Sequence, residues 1–157
     1  MTLTEIIIAR IVAMNTVRDL VGRNPNLEGD DALAIRDGIL HADDPYPGIV
    51  IDLQSQEHER DLDDRGGLIH AVVAVRTISF SRPQAWALRT AVAYDGGGPN
   101  DPTRESGLDG FRDIMGQDIW GIGLTTETLE HLDPQDGEDR DIWIVESTYN
   151  VDYREQS

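Results

Sequence analysis

The stretch Tyr46–Phe80, YPGIVIDLQSQEHERDLDDRGGLIHAVVAVRTISF, contains the strongest signals for the central part of a sheet. It has two apolar runs, Gly48–Leu53 and Leu68–Phe80, and an almost wholly charged segment between them. The two runs are typical of neighbouring strands in one sheet. Both faces of the second run are apolar at its start, which predicts a central position in that sheet. The segment between them, Gln56–Arg65, is called the charged link below.

The first part of the chain predicts a long helix that ends near Gly22. Thr2 and Glu5 have the spacing of a capping box, and Gly22 with Pro25 after it is typical of a helix end. One apolar stripe at helical spacing runs along this segment and predicts a buried face: Leu3, Ile7, Met14, Val17 and Val21.

The second half of the chain predicts one more helix and two more strands. Ser81 and Gln84 form another capping-box pattern at the start of a helix over residues 82–94. The segments Trp120–Leu132 and Asp141–Tyr153 are predicted strands. Strict alternation in the last segment indicates a half-buried antiparallel strand.

Two segments are less clear. Residues 32–42, ALAIRDGILHA, fit either a short helix or an edge strand. Residues 111–115 have the pattern of one helical turn. Pro45 and Pro47 exclude a helix there and favour extended chain.

The order of elements is therefore helix, strand, strand, helix, strand, strand. This order predicts one α+β domain over residues 1–157. The expected architecture is a four-stranded antiparallel sheet with two helices packed on one face. The charged link extends from the first hairpin.

Composition narrows the class of protein. The chain has 157 residues, a net charge of −17, no cysteine and no lysine, so all 13 basic residues are arginine. Such an acidic chain repels DNA and anionic lipid. There is no basic segment before an apolar N-terminal run and no apolar run of membrane-spanning length, so we expect a soluble protein made in a cytoplasm.

Catalytic and metal-binding motifs are not found in the sequence. Asp61–Gly67 and Asp133–Asp139 are acidic turns that lack the full spacing of a calcium loop. The histidines have no metal-binding spacing, and no nucleophile or phosphate-loop motif occurs. We therefore predict no enzymatic activity, no cofactor and no metal.

A family resemblance covers about residues 3–153. It is carried by a first helix ending at VRDLVG, the extended PYPGIVI, a charged link before LIHAVVAV, the helix SRPQAWALRTAV and a last hairpin closing on YNVDY. This pattern resembles the tail-completion proteins of long-tailed bacteriophages, the tail terminators or tail-to-head joining proteins. The segments 24–44 and 95–119 are longer than the corresponding connections in that family.

The resemblance implies a structural virion protein. Members form a ring, commonly a hexamer, on the head-proximal end of the tail tube. The ring ends tube polymerisation and presents a surface to the head-completion or connector proteins. DNA passes through the ring without specific binding, and an acidic bore would let it slide.

In such a ring the charged link is the candidate contact with the next subunit. Its acidic side chains would meet arginines of the neighbour, and its own arginines would form the reverse pairs. The candidate interface residues are Glu57, Glu59, Arg60, Asp61, Asp63, Asp64 and Arg65. The simpler interpretation is a solvated loop, which could become ordered on assembly.

Two other classes of function remain open. A dimeric ligand- or protein-binding module would have a concave apolar pocket, with Trp86 and Trp120 as the nearest candidates. An enzyme would need a carboxylate or His70 in a cleft.

Overall fold

A computed structural model of the chain describes residues 2–58, 67–95, 107–113, 118–134 and 140–154. The fold is α+β, with one five-stranded sheet and three α-helices among these residues. The elements, in chain order, are α1 (Leu3–Val12), α2 (Asn15–Leu20), a 3₁₀ turn (Gly29–Ala32), β1 (Ile35–Asp37), β2 (Gly48–His58), β3 (Ile69–Ser79), α3 (Arg82–Tyr94), β4 (Ile119–Leu132) and β5 (Ile142–Tyr153). No helix in these segments has the length and apolar character that crossing a membrane requires.

The strand order is β1-β2-β3-β5-β4, so β3 is central, as its two apolar faces predicted. The four predicted strands pair antiparallel as two hairpins joined through β3 and β5. The prediction of four strands was incomplete because β1 adds a short parallel strand beside the first half of β2. Three residues define β1, and long-range pairing rather than local pattern places them there.

The predicted first helix is two helices. Met14 has an extended backbone between α1 and α2, and its side chain is buried. The apolar stripe continues across this break, and all five of its side chains belong to the core. The capping box of Thr2 and Glu5 is present. Gly22 follows the end of α2, and a Cβ there would lie 2.6 Å from the carbonyl oxygen of Pro45.

β2 is longer than predicted and includes the start of the charged link. The strand continues past a bulge near Gln54, and Ser55–His58 pair with Ile69–Val72 of β3. Polar residues can extend this strand because β1 ends beside Ile51, and no other described strand pairs with the outer edge of β2 beyond it.

The helices pack on one face of the sheet, called the covered face. On β3 the covered face holds Val73, Val75 and Thr77, all nearly inaccessible. α1 contacts β1 and β2, while α3 contacts β3 and β5. The Thr77 hydroxyl donates to the Ala85 carbonyl of α3 at 2.9 Å, whereas the buried hydroxyls of Ser147 and Tyr149 on the same face have no hydrogen-bond partner among the described residues. The opposite face carries no helix within the described segments and is called the open face.

α3 has the predicted bounds, and the segment after it folds back on it. The Ser81 side chain caps its N-terminus, and Asp95 ends it in a left-handed conformation. The backbone amide of Leu108 donates to Val92, and a Cβ at Gly107 would lie 2.2 Å from the Ala93 carbonyl oxygen. The predicted helical turn at 111–115 is wrong in its described part, since Asp113 forms a bridge with Ile119 instead.

Candidate assembly surfaces

Glu57 is the one candidate interface residue of the charged link that the structure describes. It lies in β2 with an exposed side chain, opposite His70 of β3. Glu59, Arg60, Asp61, Asp63, Asp64 and Arg65 lie outside the described residues. For all seven residues, including Glu57, the role in an interface stays a prediction.

The strands that bear the charged link are held together on both faces. The Gln56 amide donates to the Tyr153 hydroxyl at 2.7 Å. On the open face, His70 Nδ1 lies 2.5 Å from an Asp152 carboxylate oxygen, and both side chains are about half exposed. The described part of the link, residues 56–58, is therefore a paired strand end.

The open face is polar and acidic in its middle. Arg76 of β3 pairs with Glu146 of β5 at 2.7 Å and approaches Asp52 of β2 at 3.8 Å. Each side chain is about a third exposed or more, so these pairs contribute little to stability. The carboxylates of Glu57 and Asp152 add further negative charge along the same face.

The open face becomes apolar at the end where β2 begins and β3 stops. Tyr46 and Phe80 meet edge to face at 4.7 Å between ring centroids, and the Arg140 guanidinium lies 5.2 Å from the Phe80 ring. A shallow hollow of about 760 Å³ opens beside them, lined also by Pro83 and Ala87. We call this region the aromatic end: Tyr46, Phe80, Pro83, Ala87 and Arg140.

A second hollow, of about 390 Å³, adjoins the first and shares Tyr46. The loop after β1 forms one wall, where the Ile39 side chain is 76% exposed. Val50 and Ile78 of the sheet form its floor. Neither hollow is lined by Trp86 or Trp120, so the apolar concavity lies elsewhere than the binding-module alternative placed it.

One buried carboxylate holds this loop in place. Asp44 is inaccessible and accepts two hydrogen bonds from the Arg36 guanidinium, at 2.9 and 3.0 Å. Asn24 and the backbone amide of His41 donate two more. The hydrogen bonds from Arg36, followed by those from Asn24 and His41, hold the pKa of Asp44 well below its usual range, against the opposing effect of burial.

The β4–β5 hairpin brings together one group of potential metal ligands. His131 Nε2 lies 3.1 Å from Asp141 and 4.0 Å from Asp133, and all three residues are exposed. The His131 ring stacks on Trp143 at 4.3 Å. The sequence pattern indicates only an acidic turn here, because His131 and Asp141 come close through the pairing of β4 with β5. Ion pairing and stacking account for the arrangement without a metal.

The comparison with solved structures finds a likeness in fold, and the two other comparisons find no match. No protein-family model matches the chain, and no curated protein matches it. A solved chain described as "Virion of native gene transfer agent (GTA) particle" has a similar structure, with a TM-score of 0.55 over 98% of this chain and 95% of that chain. The sequence identity is 13%, so the likeness is one of fold.

Proposed function

We propose that this protein is a structural subunit of a phage-type virion. Specifically, it forms a homo-oligomeric ring, expected to be a hexamer, on the head-proximal end of a tail tube. The ring ends tube polymerisation and provides the surface for joining the head. Its partners are other copies of itself, the tail tube protein and the head-completion or connector proteins, and it has no catalytic role.

The observation that carries this proposal is the full-length likeness in fold to a chain of a gene transfer agent virion. The motif pattern of tail-completion proteins supports the same class. The charge of −17 fits a ring through which DNA slides, because acidic side chains repel the phosphate backbone.

Native mass spectrometry over a wide concentration range, with negative-stain imaging of the concentrated sample, tests the proposal. We expect rings with a central hole, either in free solution or after assembled tail tubes are added. A stable dimer that ignores tube ends would favour a ligand- or protein-binding module, the alternative that the two hollows support.

The charged link gives a second test. Removing Gln56–Arg65 would also shorten β2, so the sharper variant replaces only residues 59–66 with a short Gly-Asn turn. We expect a folded protein that neither forms rings nor caps tubes. Circular dichroism checks the fold, and a variant that still caps tubes would remove the link from the interface.

A further inference from the structure

Each edge of the sheet is paired along one half of its length. On β2, the short strand β1 pairs with residues 49–51, and no described strand pairs with the outer edge of residues 55–58. On β4, backbone groups of residues 110–113 bond to the first part of the strand, at Ile119 and Ile122. Along residues 126–132, no described backbone group outside β5 bonds to the strand. The segments 55–58 and 126–132 are called the open half of β2 and the open half of β4.

We propose that the open half of β2 pairs with the open half of β4 in a second copy of this chain. The sheet would then continue from one subunit to the next. The two open halves lie on opposite edges of the sheet, so the contact is heterologous. Such contacts generate closed rings when the rotation between copies closes. This inference rests on the proposed function, since it names the surfaces that would join neighbouring subunits of the ring.

The two open halves lack the usual protection of sheet edges. Natural proteins protect exposed edges with proline or with charged side chains. Neither open half contains proline, lysine or arginine. Each has one exposed carboxylate, Glu57 on β2 and Glu130 on β4, since the third carboxylate, Glu127, pairs with Arg89 of α3. In a chain with 30 acidic residues, these two segments are therefore suited to strand pairing.

The topology determines the direction of the pairing. β2 is antiparallel to β3, β3 to β5, and β5 to β4, so β4 runs opposite to β2. In a sheet that continues into a neighbour with the same orientation, β2 and the neighbour's β4 are therefore antiparallel. Antiparallel strands satisfy each other's backbone donors and acceptors directly.

The backbone groups that point outward indicate how the two halves align. The amide of Ile49 on β2 and that of Ile122 on β4 both donate outward. Outward and inward groups alternate along a strand, and the count is carried through β3 and β5 to allow for the two bulges. The outward groups of the open halves then belong to Gln56, His58, Glu127, Leu129 and His131.

The side chains favour one alignment of these groups. With Gln56 opposite Leu129, His58 lies opposite Glu127, and Glu57 lies opposite Thr128. Glu57 and Thr128 both belong to the open face, so each face of the sheet continues across the contact. A shift of two residues towards the end of β4 would place two carboxylates opposite each other, which destabilises a sheet. A shift towards its start would place His58 at the bulge.

This alignment displaces neighbouring copies along the strands. Glu57 lies level with Asp152 of β5, and Thr128 lies level with Glu146. The interval from Asp152 to Glu146 corresponds to about 20 Å at ~3.3 Å per residue, while four strands at ~4.8 Å span about 19 Å. The ratio gives a strand tilt of about 45°, close to the ~35–45° found in closed barrels. The displacement is therefore compatible with a closed ring.

Engineered cysteines test the contact directly, because the native chain has none. One population carries Glu57→Cys, and a second, distinguished by a mass tag, carries Thr128→Cys. The two are mixed under mild oxidation, with tail tubes present if rings require them. Opposed residues of this kind have Cα atoms about 4.5 Å apart, a separation that a disulfide spans. We expect a disulfide-linked heterodimer, and a ladder of linked oligomers when one chain carries both substitutions.

The matched control moves the second cysteine by one residue. Leu129→Cys is also exposed, but its side chain points to the other face of the sheet. With Glu57→Cys it should give at most about a tenth of the product. Absence of the 57–128 product, or equal amounts at 128 and 129, would overturn the inference.

A proline tests the backbone contribution. Leu129→Pro removes an N–H that points outward, and an edge strand tolerates proline at such a position. We expect a folded protein whose self-association, or capping of tubes, is at least about tenfold weaker. Leu129→Ala removes the side chain but keeps the N–H, so it should assemble like the native chain. Sedimentation velocity measures association, circular dichroism checks the fold, and native-like assembly of a folded Leu129→Pro variant would contradict the inference.

The outcomes separate this inference from the proposed function. If rings form without the 57–128 product, the inference fails and the proposed function stands. If the product forms but the assembly is an open filament that ignores tube ends, the contact stands and the proposed function fails. A protein that stays monomeric even with tube ends present would overturn both.

Discussion

The covered face and the open face of the sheet differ in how far their side chains are buried. On the covered face of β5, Val145, Ser147 and Tyr149 are nearly inaccessible. On the open face of the same strand, Ile144 and Glu146 are half-buried and Asn150 is exposed. Successive residues of a strand point to opposite faces, so one sequence supplies both surfaces.

The comparison separates stability from assembly. Apolar burial, which is the main source of folding free energy, is concentrated on the covered face. The ion pairs of Arg76 and the second hollow lie on the open face, whereas the Arg89–Glu127 pair lies on the covered side. The difference predicts that substitutions on the covered face change unfolding, while most substitutions on the open face change association.

Asp44 is expected to be an exception, because a substitution there should change unfolding although the residue does not lie on the covered face. Its side chain is buried near the open face, and Asp44→Ala would leave the Arg36 guanidinium without its partner. We expect a loss of about 3–5 kcal/mol in the free energy of unfolding. Urea titration measures it, with Asp43→Ala, a change at an exposed neighbour, as the control. Equal effects of the two substitutions would contradict the role given to the buried pair.

The same carboxylate predicts a pH dependence. Its pKa is lowered in the folded state, so its contribution is present above the ordinary carboxyl pKa of about 3.9. That contribution declines as the pH falls below this value. The stability difference between the native chain and Asp44→Asn should therefore be constant from pH 7 to about 5 and shrink below pH 4. If the stability difference instead grew on acidification, the pKa of Asp44 would be raised rather than lowered by folding.

A matched pair of valines on β3 compares the two faces directly. Val75 is 1% exposed on the covered face, whereas Val72 is half-buried on the open face. Val75→Ala should cost about 2 kcal/mol through lost burial and a residual cavity. Val72→Ala should cost under about 1 kcal/mol. Thermal or urea unfolding of both variants checks this, and similar losses would remove the distinction between the faces.

The smallest expected change in the free energy of unfolding is for substitution of a charged residue on the open face. Arg76→Gln removes the partner of Glu146 and Asp52, and these pairs are partly exposed. We expect a change of about 0–1 kcal/mol, and less at high salt. Unfolding at 0.05 and 1 M salt measures it. A loss above about 2 kcal/mol would mean that the open face also stabilises the fold.

Much of the fold follows from local patterns. The bounds of α3 follow from Ser81 and the glycines after Tyr94, and β5 follows from its alternation. The central position of β3 follows from its two apolar faces. In each case the deciding signal lies within the element itself.

The differences from prediction come from contacts between distant segments. β1 is a strand because Ile35–Asp37 align with Ile49–Ile51. The break at Met14 leaves the buried stripe intact, so the apolar pattern contains no sign of it. Of the candidate site, the sequence identified the charged link but not the aromatic end. Tyr46, Phe80 and Arg140 meet only through strand pairing.

The pairing of β3 with β5 has a consequence for synthesis. Ile69 aligns with Tyr153, and α3 and β4 lie between these strands in the sequence. Each hairpin pairs segments that are close in the sequence, but the centre of the sheet closes only after β5 has left the ribosome. A nascent chain therefore lacks a complete covered face until its last strand is made.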